Sequence, residues 1–501
     1  MGRKSREKRE HRAAEERNKK WGNDDLPGAP PVRNYPAQPP RSSGSTTAER
    51  HLAGLCRRTF LSSWSYPNVF RGERRPDGSI QGKEVCDLLV VFENDVLIFS
   101  DKDIAFPKSD DVHKDWRRWY RRAVQKSAAQ LYGAERVILA REPLFLDPQL
   151  GAPFPLALPD PREMRIHRVL VAHGASERCQ QHLGGHGTLV LQPSLVGDDH
   201  VKPPAEGGVP FSLGRVDSSK GFIHVLDDAS LDLLLRTLDT APDLIAYLQR
   251  KEDLMLSGRL ALATGEEALL GMYLADVDDD GNHTFRLPDD GSAIAIDESW
   301  WYRYISGPEV VAKREADRIS YVWDDIIERF AKHFREGTAE HLSHREAAEH
   351  ARILQYFARE TRVRRRLLAK TAIDVVVSTE PHQRRLRVIP PVQQGDPFWV
   401  FLAFPYLKTV SYEQNRTTRR WFLQACCAVT KLMWRDTKDI VGFATESSRG
   451  NAGRSEDALY MDVREWTPEM EAEAKRLQHE HRILTNANFF EFHEAEYPIG
   501  S

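Results

Sequence analysis

Cysteine is scarce and follows no pattern. The chain has 501 residues and five cysteines, Cys56, Cys86, Cys179, Cys426 and Cys427. No pair has CxxC spacing, which excludes a zinc finger, and the odd, unpatterned set argues against a disulfide framework. It points instead to a reducing, cytoplasmic setting. Cys86 lies beside an apolar run and reads as a small buried residue. No apolar stretch approaches the roughly 20 residues that a membrane span requires, so no membrane partner is expected. The basic segment 2–12 lacks the apolar region of a secretory signal, and its interspersed acids argue against a mitochondrial presequence. The net charge is −3, so no global basic field exists and any nucleic-acid surface must be local. Leu270-Gly271-Met272 and Gly184-Gly185-His186-Gly187 match neither a P-loop nor a dinucleotide fingerprint. Gly-x-Ser-x-Gly and His-Glu-x-x-His motifs are also missing, and no internal repeat is found.

The composition, 41% hydrophobic and 29% charged, is that of a globular protein; at this length two to four domains are expected. Residues 1–44 are basic and then rich in Pro, Gly and Ser, and read as a disordered arm, either a weak phosphate contact or a solubilising tail. Residues 45–150 read as an α/β unit, with a strand expected at Arg136–Ala140. Residues 151–256 read as an α/β extension, with strands at Arg165–Ala172, Leu189–Gln192 and Gly221–Leu226. Two helices follow within Ser230–Gln249, divided at Ala241-Pro242. This extension is either the remainder of the first unit or a fused domain, with the second option preferred. Residues 257–501 read as a C-terminal α+β domain. Its strands are expected at Ala372–Ser378, Arg385–Ile389, Trp399–Ala403, Asp439–Ala444 and Ala458–Val463, and its helices at Tyr412–Trp434 and Thr467–Leu484. No catalytic motif stands out there.

The most informative stretch is 84–102. The apolar runs Leu88–Phe92 and Val96–Phe99 flank Glu93-Asn94-Asp95, the pattern of a hairpin buried on both faces. A turn near Asn94 lays Asp87 beside Ser100, Asp101 and Lys102 at the open end. An Asp in an otherwise apolar strand is costly without a partner, and a metal or a lysine would resolve that cost. Carboxylates and a lysine meeting at a sheet end can bind a divalent cation and activate water.

This arrangement resembles the PD-(D/E)xK nuclease superfamily, in its Mrr-like and NERD-like branches. The family carries an Asp on one hairpin strand and an acidic residue or Gln, any residue, then Lys on the next. A preceding helix supplies a Glu, and a following helix often a Gln. Here Glu49 lies in the first turn of the amphipathic segment 47–56, with Glu84 as a weaker alternative. Gln130 is the best match in the later helical segment, with Gln125 second. The resemblance covers roughly residues 45–145. It implies a restriction-endonuclease-like α/β core with a central mixed sheet. It also implies Mg²⁺ or Mn²⁺ held by Asp87, Glu49 and Asp101, with catalysis by Asp87, Lys102, Asp101, Ser100 and Gln130. DNA is the implied substrate, and restriction or defence against foreign nucleic acid the implied role. Ser100 departs from the family, which has an acidic residue or Gln there. In a regular strand Ser100 and Lys102 share a face and Asp101 points away. Three readings therefore stay open: an active nuclease with an altered motif, a nuclease using Asp101 as a displaced ligand, and a scaffold that only binds nucleic acid or another partner. A toxin held in check by the rest of the chain is a further alternative, and a homo-oligomer is compatible with each.

Residues 116–122 interleave aromatics with arginines. At helical spacing, 116, 119 and 120 fall on one face and Arg117, Arg118, Arg121 and Arg122 largely on the other. The aromatics are expected in the core and the arginines outside, where they would meet phosphate. The run 362–370 is a basic cluster, read as a solvated helix face or a nucleic-acid contact. His167, His173, His182 and His186 read as scattered surface histidines. Asp276–Asn282 superficially suggests a calcium loop but lacks the closing Glu and reads as a hairpin turn.

Overall fold

The computed structural model describes residues 42–278, 281–336, 344–393, 395–406, 409–447, 455–489 and 494–498. Nearly all of the expected N-terminal arm lies outside them. The chain is mixed α/β with three mixed sheets. It divides into two compact units. One comprises Gln38–Arg318, Ala358–Val363 and Ala495–Ser501; the described part of the other comprises Ile319–Phe357 and Arg364–Glu494. Among the described residues no helix is long and apolar enough to cross a membrane.

The first unit begins with helix α1, Thr47–Thr59. The Thr46 side chain caps it by accepting from the Glu49 N–H, satisfying one of the donors that a helix start leaves open. Its Leu52, Leu55 and Cys56 are buried. Strands β1 (Ser65–Arg74), β2 (Ile80–Phe92) and β3 (Asp95–Asp103) follow as an antiparallel meander. The β2–β3 register runs from Phe92↔Asp95 to Leu88↔Phe99, so the expected hairpin is present with Glu93-Asn94 as its turn. Glu93 takes a φ of 52° there.

Helices α2 (Val112–Tyr120) and α3 (Lys126–Leu139) form one rod interrupted by a π-helical turn at Arg121–Gln125. The strand expected at 136–140 is instead the end of α3. Val137 and Ile138 are buried at helical spacing from Leu131 and Ala134, and a short apolar run does not reveal which period it belongs to. Strand β4 (Leu144–Phe145) joins β1, and β5 (Arg165–His173) lies parallel to β3. After β6 (Val190–Val196) and β7 (Ser212–Arg215), β8 (Ile223–Leu226) lies parallel to β5. The six-stranded order is β4-β1-β2-β3-β5-β8. Two strands from the 151–256 stretch thus complete the hairpin's own sheet. Strands β2 and β3 contact α1 and α3 and are buried on both sides along 86–92 and 95–101, while β2 before Cys86 is largely exposed.

Helix α4 (Asp228–Thr237) follows β8, and α5 (Ala241–Leu256) starts with Pro242 in its first turn. Strand β9 (Leu260–Ala263), helix α6 (Glu266–Ala275) and β10 (Ile294–Ile296) close the unit's second sheet, in the order β10-β9-β6-β7. The Asp276–Asn282 segment turns between bridged Val277 and His283, with residues 279–280 outside the described set.

In the other unit the sheet runs β11 (Arg385–Ile389), β12 (Phe398–Phe404), β13 (Asp439–Glu446) and β14 (Glu456–Asp462). Strands β12 and β13 are parallel, and the helix Tyr412–Met433 crosses between them. The strand expected at Ala372–Ser378 is instead the last turns of the helix Arg362–Val377. Its β-branched run Val375-Val376-Val377 mimics a strand, but helical hydrogen bonding continued from Arg362 prevails over local propensity. The centre of the basic cluster on that helix is not a solvated face: Arg365 and Arg366 are fully buried and pair with Asp324 and Glu494, whereas Arg364 is half-buried and the Lys370 side chain is 40% exposed.

Candidate active site

The hairpin's open end assembles at the point where β2–β3 pairing stops. Continuing the register one step past Leu88↔Phe99 sets Asp87 across from buried Ser100. The Asp87 carboxylate curls over this end and accepts the Asp101 main-chain N–H at 2.6 Å. Lys102 Nζ stands 3.8 Å from the same oxygen, with its side chain 30% exposed against 11% for Asp87. Burial raises the Asp87 pKa to about 6; Lys102 and the Asp101 N–H oppose that rise, and Glu84 and Glu49 add to it.

Two more carboxylates reach this end through Asn68. Between Pro67↔Leu88 and Val69↔Cys86 the register leaves Asn68 facing Asp87. It adopts a left-handed φ of 52°, a conformation Asn tolerates better than most residues. Its Nδ2 donates to Glu84 Oε1 at 2.9 Å and to Glu49 Oε2 at 3.1 Å, and its Oδ1 accepts from Ser42 Oγ at 2.7 Å. The β1–β2 register shifts by one residue between Val69↔Cys86 and Phe70↔Glu84. The extra residue, Val85, reverses the alternation and puts Glu84 on the Asp87 face. Partial burial tends to raise the Glu49 pKa, but the Ser45 N–H at 2.7 Å and the Asn68 and Thr46 bonds hold it below the ordinary range.

Asp101 faces away, as strand alternation requires. Its buried Oδ1 meets His173 Nε2 at 2.7 Å, and the other ring nitrogen of His173 meets the Asp228 carboxylate. Asp101 Oδ2 is buried without a hydrogen-bond partner. The ring of His173 is mostly covered, and burial would lower its pKa, but the two carboxylates raise it to about 10.

The remaining candidates are placed as follows. Trp116, Trp119 and Tyr120 are buried, while Arg118, Arg121 and Arg122 are exposed and Arg117 half-buried. Gln130 is exposed on α3, and Gln125 donates to Asp198 at 3.2 Å. Among the four histidines only His182 and His186 are exposed. His167 is buried against Asp95 at 2.8 Å, and His173 bridges Asp101 and Asp228.

Asn68 is the residue that sequence reasoning missed, and His173 is one that it read as a surface histidine. The Pro67-Asn68 pair carried a signal, since Asn after Pro in a strand pattern marks irregular backbone. His173 carried none, because its partners lie 72 and 55 positions away. Comparison of the chain with protein-family models, with curated proteins and with solved structures finds no match.

Proposed function

We propose that the hairpin end is the reacting site of a metal-dependent nuclease that cleaves phosphodiester bonds, most simply in DNA. One observation carries this reading: a buried carboxylate, Asp87, lies within 4 Å of a partly exposed lysine at the end of a sheet. Glu49 and Glu84 lie close enough to influence that carboxylate's ionisation.

The donor set fits a hard cation. Mg²⁺ is usually held by one or two carboxylates and keeps several waters, and Asp87 with Glu49 or Glu84 supplies that number. Among the described residues no three His, Cys, Asp or Glu side chains are gathered to hold a metal, so water and substrate phosphate would complete the shell. When bound, the cation would lower the pKa of an attacking water and polarise the phosphoryl group. Lys102 would face the charge that develops on the phosphate oxygens. Asp101 takes no ligand role in this scheme, because its carboxylate is engaged by His173, and its main-chain N–H fixes Asp87 instead. Buried Ser100, one register step from Phe99 and across from Asp87, would accept from a water bound beside Asp87. Exposed Arg118, Arg121 and Arg122 would contact the phosphate backbone. Gln130 has no part assigned beyond the resemblance, and restriction or defence as the role rests on the resemblance alone.

The second reading, a nuclease-like scaffold that binds without cleaving, is favoured by Asn68. Its amide lies between Glu49 and Glu84, where it already offsets part of the charge that a cation would balance. The two readings separate on cleavage of plasmid DNA and of RNA with Mg²⁺ or Mn²⁺, comparing wild type with Asp87→Ala and Lys102→Ala. Cleavage lost in both variants supports the nuclease. Well-folded wild type that cleaves neither substrate but binds them supports the scaffold.

A further inference from the structure

We infer that His173 is a positioning residue for the hairpin end: its imidazole ties the Asp101 carboxylate to Asp228 on α4 and so holds the Asp101 N–H on Asp87. The inference deepens the nuclease reading and rests on it for the identity of the site.

The linkage is continuous from α4 to β2. Asp228 opens α4, and its Oδ2 also accepts the Gly174 N–H at 2.9 Å. That bond depends on a glycine turn. Gly174 has a φ of 94°, and a Cβ there would lie 2.6 Å from the Ile104 carbonyl oxygen. The next link is the imidazole, placed between Asp228 and Asp101 with one ring nitrogen on each. From Asp101 the link passes through the main chain, whose N–H reaches Asp87 Oδ2. The strand ends that carry these groups are pinned from the other direction by Trp119, whose Nε1 donates to the carbonyls of both Ile104 and His173 at 3.1 Å.

The chemistry explains why the position suits histidine. Asp101 is buried, and one of its oxygens lacks a hydrogen-bond partner, so the bond to His173 is the contact that orients the carboxylate. A ring whose two donors sit on separate nitrogens and point apart can join two carboxylates held on adjacent elements. Without it, the buried Asp101 carboxylate would reorient toward water, and β3 would turn its 101 N–H away from Asp87.

The test uses the full chain. Exchange of the Asp101 amide with solvent deuterium is followed at residue resolution in wild type, His173→Ala and the milder His173→Gln. Cleavage of plasmid DNA with Mg²⁺ is measured in parallel. In His173→Ala the Asp101 amide should exchange about tenfold faster, the loss expected for one buried hydrogen bond, while the Phe99 amide stays protected. Added imidazole should restore protection. In an active protein kcat should fall about tenfold with KM unchanged, and imidazole should recover it. An unchanged Asp101 amide overturns the inference, as does loss of protection along all of β3, which would make His173 merely structural. If wild type proves inactive on every substrate while the amide responds as expected, the nuclease reading fails and the positioning role stands.

Discussion

The main-chain N–H of Asp101 donates to the carboxylate of Asp87 across the end of a hairpin, while the Asp101 side chain turns to the opposite face of the sheet. One residue thus contributes its backbone to one site and its carboxylate to another. On the nuclease reading, Asp87 and Lys102, not Asp101, are the groups to remove first. Asp87→Ala and Lys102→Ala should each lower kcat by about 10²–10³ if they act on charge that develops in the transition state. Single-turnover cleavage measures this directly, and a variant that keeps wild-type kcat removes its residue from the mechanism.

Asp87 should also weaken the metal-free fold. Its pKa is raised from an ordinary 3.8 to about 6, so the folded state binds the proton more tightly than the unfolded chain. The penalty is absent below pH 4, grows between 4 and 6, and is fully present above 6. It amounts to about 3 kcal/mol for two pKa units. Asp87→Asn, which still accepts the Asp101 N–H, should therefore raise the Tm of metal-free protein at pH 7.5 and change it little at pH 4. A lower Tm for this variant at pH 7.5 would contradict the burial argument.

His173 should act with the opposite sign. Its pKa rises from an ordinary 6.5 to about 10, so the charged ring stabilises the fold fully below pH 6.5, and that contribution disappears as pH climbs through 10. Urea midpoints measured from pH 6 to 10 should decline in wild type and decline less in His173→Gln. Identical slopes would mean that the ring is not charged in the fold.

Binding should be separable from chemistry on the α2–α3 rod. Arg118, Arg121 and Arg122 are exposed, so replacing all three with alanine should change the unfolding free energy by no more than about 1.5 kcal/mol. It should weaken DNA binding and reduce the slope of log K against log salt by about one for each arginine that meets phosphate. Fluorescence anisotropy at several salt concentrations reads both quantities.

In the C-terminal unit, Arg365→Ala should be severe, because it leaves Asp324 beside the empty place of a fully buried guanidinium. A loss of about 3–5 kcal/mol is expected. Arg365→Met, which fills the space without charge, should remain costly only until Asp324 is replaced as well. A double-mutant cycle in urea measures that coupling.

Local pattern made the hairpin legible. Two apolar runs around Glu93-Asn94 dictated the strands, the turn and the face of Asp101. Residues 375–377 and 136–140 misled for a common reason: β-branched and apolar residues end long helices there, and a window of five residues holds too little of either period to decide. Arg365 and Arg366 were read as surface charge because their acidic partners lie 41 and 128 positions away. The same distance in sequence hid His173. What remained hidden was chiefly what long-range packing decides, namely which buried charges find partners and where the backbone yields, as at Asn68.

The parallel pairing of β3 with β5 sets an order of assembly. Ser100 pairs with Leu170, and the imidazole on β5 finds its second carboxylate at residue 228. A nascent chain can close the β2–β3 hairpin by itself, because its turn is local. The anchored geometry around Asp87 must wait until more than a hundred further residues have been made and a non-local strand has docked, a slow step by contact-order arguments. The chain therefore carries its acidic hairpin for a time without its anchor, and the site matures last in the sheet that contains it.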